Sequence, residues 1–390
     1  MKCAVVRLPL PACLRTLPPM TIRTLLPVAL ALALAACAAH APPPAPATPP
    51  AATTEILPEP LLAPVPQPPE RPLPPALVTD PALPREARVD AFVDYTARMY
   101  GVAPDAIRAQ LAQAQVVQRT LDIISRPAEA VRPWRDYRPI FMTDARIQAG
   151  VAFYQANRTL LDRIAADTGV PAEYVVAIIG VETFYGRNTG SYRVLDVLNT
   201  LAFDYPKRAP FFAGELAQLF ALGKDEQLDI ATLNGSYAGA MGWGQFMPSS
   251  WRTWGKDGDG DGRRDLIGDQ ADVFASIANY FVAHGWQRGA PVVARATLDP
   301  SKAEFLPGTV DPIYPLVDLE AHGYHLMPGE PVPAATQSPG ATVLGLDGEA
   351  GREYWFGYRN FYVITRYNHS PMYALAVHQL AQAIRAGSGP

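Results

Sequence analysis

Glu182 closes the apolar run Tyr174-Val175-Val176-Ala177-Ile178-Ile179-Gly180-Val181, a setting from which ionised side chains are normally excluded. Desolvation there disfavours the charged carboxylate and raises its pKa, which is how a general acid is made. The plain alternative is a buried structural ion pair with Arg187 or Arg193. Later the chain reads Ser236-Tyr237-Ala238-Gly239-Ala240-Met241-Gly242-Trp243-Gly244-Gln245-Phe246-Met247-Pro248-Ser249-Ser250, too rich in glycine for a regular helix yet set with aromatic and amide side chains. Backbone that can approach a ligand closely, beside stacking faces and hydrogen-bonding amides, suits a sugar polymer. Cleaving a glycoside requires a proton for the leaving oxygen and a group that captures the oxocarbenium-like centre. Glu182 can supply the proton. The nearest candidates for a second acid are Asp196 and Asp204, so the residues point to a glycan-cleaving enzyme with one sheltered carboxylate.

Helices must position these groups. Helical spacing runs through Ala91-Phe92-Val93-Tyr95-Ala97-Met99-Tyr100, and Pro104 begins another helix at a tolerated first-turn position. Further helices are expected over 144 to 167, 172 to 184, 210 to 223, 270 to 284 and 371 to 386. The helix holding Glu182 contains several β-branched residues, but Pro171 at its start and its length favour a helix over a buried strand. Val292 to Ala296, Thr342 to Leu344 and Tyr362 to Thr365 read as short strands among many Gly and Pro turns. The expected fold is mainly α, of the α+β class. A helical subdomain lies over about 86–160, a core over about 161–286 and 350–390, and a small β-containing subdomain over about 287–349.

The chain has 390 residues, but its first part reads as address and tether. A basic start at Arg23, an apolar stretch from Leu25 to Ala36 and then Cys37 have the proportions of a secretory signal, expected over 1–36. Leu34-Ala35-Ala36-Cys37 resembles a bacterial lipobox, which implies cleavage before Cys37 and its acylation. Ala38 after it goes with sorting to the outer membrane in such lipoproteins. Residues 41 to 85 hold seventeen of the 41 prolines, so 37–85 is expected to be a lipidated, proline-rich linker. Extended at about 3.1 Å per residue, that stretch reaches on the order of 140 Å. All three cysteines lie in the leader region, leaving none for a disulfide in the body. A net charge of −4 and the lack of a basic cluster argue against a nucleic-acid partner.

Asp257-Gly258-Asp259-Gly260-Asp261-Gly262-Arg263 begins like a calcium loop, with acids at positions one, three and five, glycine at six and Arg263 at seven. The usual glutamate at position twelve is replaced by Gly268. His284, His369 and His378 show no metal-ligand spacing and read as structural.

Five blocks in order, Glu182 to Arg187, Thr200 to Arg208, Ser236 to Ser250, Ala278 to Trp286 and Arg366 to Ser370, resemble the membrane-bound lytic murein transglycosylase B family over about 90 to 386. The resemblance implies a lysozyme-like core that cleaves between N-acetylmuramic acid and N-acetylglucosamine in peptidoglycan. The muramoyl C6 hydroxyl attacks C1 and leaves a 1,6-anhydro end. Glu182 then serves as acid and afterwards as base, with no cofactor for the chemistry. Ser236 and Gln245 match cleft residues, and Tyr137, Tyr280, Tyr367, Asn368 and Tyr373 match groups that bind sugar or orient the acid. The family's long metal loop implies a structural calcium held by Asp257, Asp259, Asp261, Arg263 and Asp272, with Asp269 as rival to Asp272 and helix capping as the alternative role. The implied partners are peptidoglycan strands and outer-membrane lipid through Cys37, on the periplasmic side. Recruiting cell-wall synthesis or division proteins are left open. A water-using muramidase and a non-catalytic peptidoglycan-binding lipoprotein are the competing readings.

Overall fold

A computed structural model describes residues 72–125, 132–334 and 340–389. The signal, Cys37 and most of the proline-rich linker fall outside the described residues. The end of that linker does not behave as a tether. Helix α1 (Ala76–Thr79) packs on α2 (Arg85–Tyr100), Val78 is fully buried, and the Tyr95 hydroxyl donates to Pro72 O. The globular body therefore begins before residue 85.

Short helices α3 (Pro104–Ala112), α4 (Gln118–Ile124) and α5 (Trp134–Phe141) follow. The expected helix over 144 to 167 is two, α6 (Asp144–Ala156) and α7 (Arg158–Thr168). Asn157 breaks it with φ −115° and turns its amide back onto Phe153 O. Helix α8 (Ala172–Thr183) has no polar face, and Ala172 through Gly180 are buried. Only the centre of a core accepts a helix apolar all round, and α6, α7, α12 and α15 surround it. The remaining helices are α9 (Val194–Asp204), α10 (Ala209–Asp225), α11 (Pro248–Trp254), α12 (Gln270–Ala283), α13 (Leu316–Ala321), α14 (Arg359–Tyr367) and α15 (Pro371–Ser388). Tyr362 to Thr365, expected as a strand, lies inside α14. Phe361 through Thr365 are all buried there, so packing overrides the β-branched preference.

Two-residue strands β1 (Tyr192–Arg193) and β2 (Asn234–Gly235) pair with each other. A second, five-stranded antiparallel sheet holds β3 (Val293–Leu298), β4 (Tyr314–Pro315), β5 (Tyr324–Leu326), β6 (Gly340–Gly348) and β7 (Gly351–Gly357) in the order β4-β6-β7-β3-β5. It has its own small core of Phe305, Leu319, Tyr324, Val343 and Phe356. The sheet subdomain thus extends past residue 349 to Gly357. The fold is mainly helical and mixed α+β, as expected. Among the described residues no single helix is long and apolar enough to cross a membrane.

The end of α8 is built against steric preference. Phe184 (φ 51°) and Tyr185 (φ 61°) precede Gly186 (φ 80°), so two residues with side chains stand in the left-handed region, at about 1–2 kcal/mol each. The neighbouring helices hold them there. The Tyr185 hydroxyl donates to Arg146 O at 2.8 Å. Its ring occupies space left by two helical glycines, since a Cβ on Gly150 or Gly180 would lie 2.4 or 2.7 Å from that oxygen. Replacing Gly150 by Ala should destabilise the protein by about 1–3 kcal/mol and reduce turnover even where the variant is fully folded. Denaturant unfolding beside a turnover assay checks this, and a variant with unchanged stability would show that the ring is not held in this way.

Candidate active site

Glu182 stands one residue from the end of α8, part-buried. Its Oε1 accepts a 2.6 Å hydrogen bond from the Tyr373 hydroxyl, in the first turn of α15. Burial pushes the carboxyl from its ordinary 4.5 to about 7, while the Tyr373 bond, which favours the ionised form, holds it back. A carboxyl poised there carries a proton in an appreciable fraction of molecules at neutral pH and can release and recover it.

Tyrosines from several elements complete the surroundings. Tyr373 is 3 % exposed, and burial followed by the Glu182 charge drives its phenol well above the ordinary range, so it remains a donor. Tyr367, at the end of α14, is driven up in the same way, and its hydroxyl donates to Gly244 O in the glycine-rich loop at 2.7 Å. Tyr280 of α12 sits edge-on to it with centroids 4.9 Å apart and donates to Arg366 O. Tyr137 of α5 is raised by burial and then by the charge on Glu182, which places it within the carboxylate's field.

The other sequence-predicted residues shape the loops. Ser236 Oγ accepts from Ala238 N and Ala240 N, closing its own turn. Gln245, with φ 51°, donates its amide to Gly242 O and Thr189 O, tying the glycine-rich loop to the segment after α8. Asn368 is exposed and accepts from Ser370 N. Ser236 and Asn368 are bonded within their own turns, and neither is bonded to Glu182.

The rival roles for Glu182 find no support in the geometry. Arg187 lies over the Phe184 ring at 5.1 Å, and Arg193 pairs with Asp196 at 3.3 Å. Asp196 also accepts from Gln115 N, and Asp204 pairs with Arg85 at 2.9 Å. Both candidate second acids are therefore committed to structural bonds.

Sequence reasoning missed three residues that aim the acid. Thr183 Oγ1 accepts from Gly186 N at 3.0 Å and lies 2.9 Å from Trp243 O, clasping the end of α8 to the glycine-rich loop. The Arg146 guanidinium donates to Gly180 O and lies 4.9 Å from the Phe184 ring centre. Tyr185 is the third. Glycines inside two adjacent helices were the available signal, because such glycines mark close approach.

In the acidic loop, ligand atoms of Asp257, Asp259 and Asp272 lie within 4.8 Å of one another. Asp261 is not among them, and its carboxylate accepts from Arg263 N. Arg263 extends its guanidinium to Glu226 O. Asp269, the rival to Asp272, is the N-cap of α12 and accepts from Ala271 N and Asp272 N. Two of the histidines have structural partners: His284 stacks on Tyr280 with centroids 4.0 Å apart, and part-buried His378 meets the Tyr174 hydroxyl at 2.8 Å, its pKa lowered to about 4 by desolvation.

A helical core presenting one desolvated carboxylate among tyrosines and a glycine-rich loop has groups that glycan cleavage calls for. The transglycosylase SLT domain family matches residues 85–382, and the chain belongs to that family. It is 41% identical over 302 residues to membrane-bound lytic murein transglycosylase B of Escherichia coli strain K12, covering 75% of this chain and 81% of the relative. The solved structure of catenated lytic transglycosylase SltB1 from Pseudomonas aeruginosa superposes with a TM-score of 0.73 at 47% identity, over 77% of this chain and 98% of the other. SltB3 from the same organism, solved with NAG-NAM-pentapeptide, gives 0.67 at 30% identity, over 78% and 80%.

An acid with a pKa of about 7 when folded and 4.5 when unfolded binds its proton more tightly in the native state. Its contribution to stability is full below 4.5 and is lost as pH rises through 7. Glu182→Gln, which mimics the protonated side chain, should therefore match the wild type in stability near pH 4.5 and exceed it above pH 7, by at most about 3 kcal/mol. Denaturant unfolding across that range checks the sign, and equal stabilities at both ends would contradict the displaced pKa.

Proposed function

We propose that the chain cleaves the β-1,4 bond between N-acetylmuramic acid and N-acetylglucosamine in peptidoglycan by intramolecular transglycosylation. Protonated Glu182 gives its proton to the glycosidic oxygen as the bond to the muramoyl C1 breaks. The resulting carboxylate then takes the proton of the muramoyl C6 hydroxyl as its oxygen bonds to C1, leaving a 1,6-anhydro end and the proton back on Glu182. The observation that carries this reading is a carboxyl near pKa 7 whose bonded partner is a phenol and not a second carboxylate. Inverting hydrolysis calls for a second carboxylate as base and retaining hydrolysis for one as nucleophile, whereas this sequence needs a single group acting twice. The murein-cleaving relative and the saccharide-peptide complex of SltB3 support the substrate.

The Tyr373 hydroxyl steadies the carboxylate formed at mid-reaction and fixes its direction. Digestion of purified sacculi followed by mass spectrometry should give anhydro ends, which weigh one water less than reducing ends. Reducing ends would show that water is the acceptor, and sacculus binding without products would show a binding module.

The leader sequence and the membrane-bound relative support a periplasmic lipoprotein held to the outer membrane through Cys37. In the acidic loop, Asp257, Asp259 and Asp272 supply a hard oxygen donor set suited to calcium. A bound cation would neutralise carboxylates that otherwise repel, fastening the loop to the start of α12 and taking no part in bond cleavage. Calcium at about 100 times its Kd should add about 2.7 kcal/mol of stability, read as a higher Tm that chelator reverses. A Tm indifferent to both would remove the ion from the account.

A further inference from the structure

A cavity of about 230 Å³ lies between α5, α15 and the sheet subdomain, and its walls include Arg135, Arg138, Arg295, Glu349, Glu353 and Trp355. Among the described residues neither Arg135 nor Arg295 has a carboxylate within ion-pair distance, and Glu349 and Glu353 have no cationic partner. Arg138 is bonded by its Nε to the Gln379 amide oxygen at 2.6 Å. The Arg295 guanidinium lies 5.3 Å from the Trp355 ring centre. Trp355 is only 9 % exposed, yet its indole N–H meets no acceptor. A buried indole N–H without an acceptor is uncommon, because it has lost hydration without a compensating bond.

The position relates this cavity to the acid. Trp134, in its wall, stacks with Tyr137 at 6.3 Å, and Tyr137 feels the charge of Glu182. Gln379, also in the wall, follows Tyr373 by six residues on α15, about 9 Å along the helix axis. A peptide extending from a sugar in the cleft covers about 3.3 Å per residue, so its third residue reaches this distance.

We infer that this cavity is a subsite for the peptide stem of the substrate, with the arginines gripping its free carboxylates and Glu349 and Glu353 receiving an ammonium group. The inference rests on the peptidoglycan reading above. Guanidinium forks fit carboxylates with two parallel bonds, and carboxylates in the same lining favour a zwitterionic diamino acid over a purely acidic side chain. The site would distinguish peptide-bearing strands from bare glycan without touching the scissile bond.

The test combines direct binding with turnover. Wild type and the double variant R135A/R295A are titrated calorimetrically with isolated stem pentapeptide, then assayed on intact strands and on strands stripped of peptide by an amidase. Both side chains are exposed, so the variant should keep the wild-type Tm. The expected result is that peptide affinity falls by at least tenfold and KM rises comparably on intact strands, with cleavage of stripped strands unchanged. Equal peptide affinity in both proteins, no peptide binding to the wild type, or equal loss on intact and stripped strands would each overturn the subsite. Failure of the wild type to cleave either substrate would count against the proposed function, and the peptide titration would still decide the subsite.

Discussion

The hydrogen bond between Tyr373 and Glu182 joins the end of a helix without a polar face to the first turn of the last helix. Everything else at the site follows from the requirement that this carboxyl sit out of water without an opposing charge. A cation beside it would drive its pKa down and turn the acid into a structural ion pair. A second carboxylate would make two coupled groups. A phenol does neither: burial keeps it protonated, and it gives a directional bond while adding no charge. Replacing arginine or aspartate with tyrosine as the neighbour is therefore the choice that leaves one proton poised near neutrality.

Holding the acid there demands rigidity around the end of α8, which the protein obtains from unfavourable backbone. Two consecutive non-glycine residues in the left-handed region persist because Tyr185 is wedged into glycine-lined space and Thr183 ties the turn to the glycine-rich loop. Strain of this kind survives only where its surroundings over-determine it, and it concentrates at functional sites. The loop is fixed in turn by Tyr367 on Gly244 and by Gln245 on Gly242 and Thr189. The Glu182 carboxyl, the loop and the aromatic groups thus form one connected structure.

Much of this was legible in the sequence, for identifiable reasons. The helices with marked starts, α8, α12 and α15, lie within a few residues of expectation because capping residues and proline fix those starts. Tyr362 to Thr365 misled because β-branched residues buried inside a helix carry the composition of a strand. The break at Asn157 was invisible because no glycine or proline marks it. Glu182 itself was exposed as a candidate by the contradiction between its charge and its neighbours, whereas Thr183, Arg146 and Tyr185 act through backbone groups that no local pattern displays. In the acidic loop, spacing named the acids but not their directions: Asp272 turns inward, Asp269 caps a helix and Asp261 serves its own turn.

The central claim is a statement about one proton, and carbon-detected NMR of protein labelled at the glutamate side-chain carboxyls reads it directly. Titrated through neutrality, the Glu182 signal, assigned by its absence from Glu182→Gln, should show a midpoint near 7, well above the ordinary 4.5. A midpoint at the ordinary value would mean that the carboxylate is already ionised at working pH, and the proposal that it acts first as acid and then as base would be contradicted.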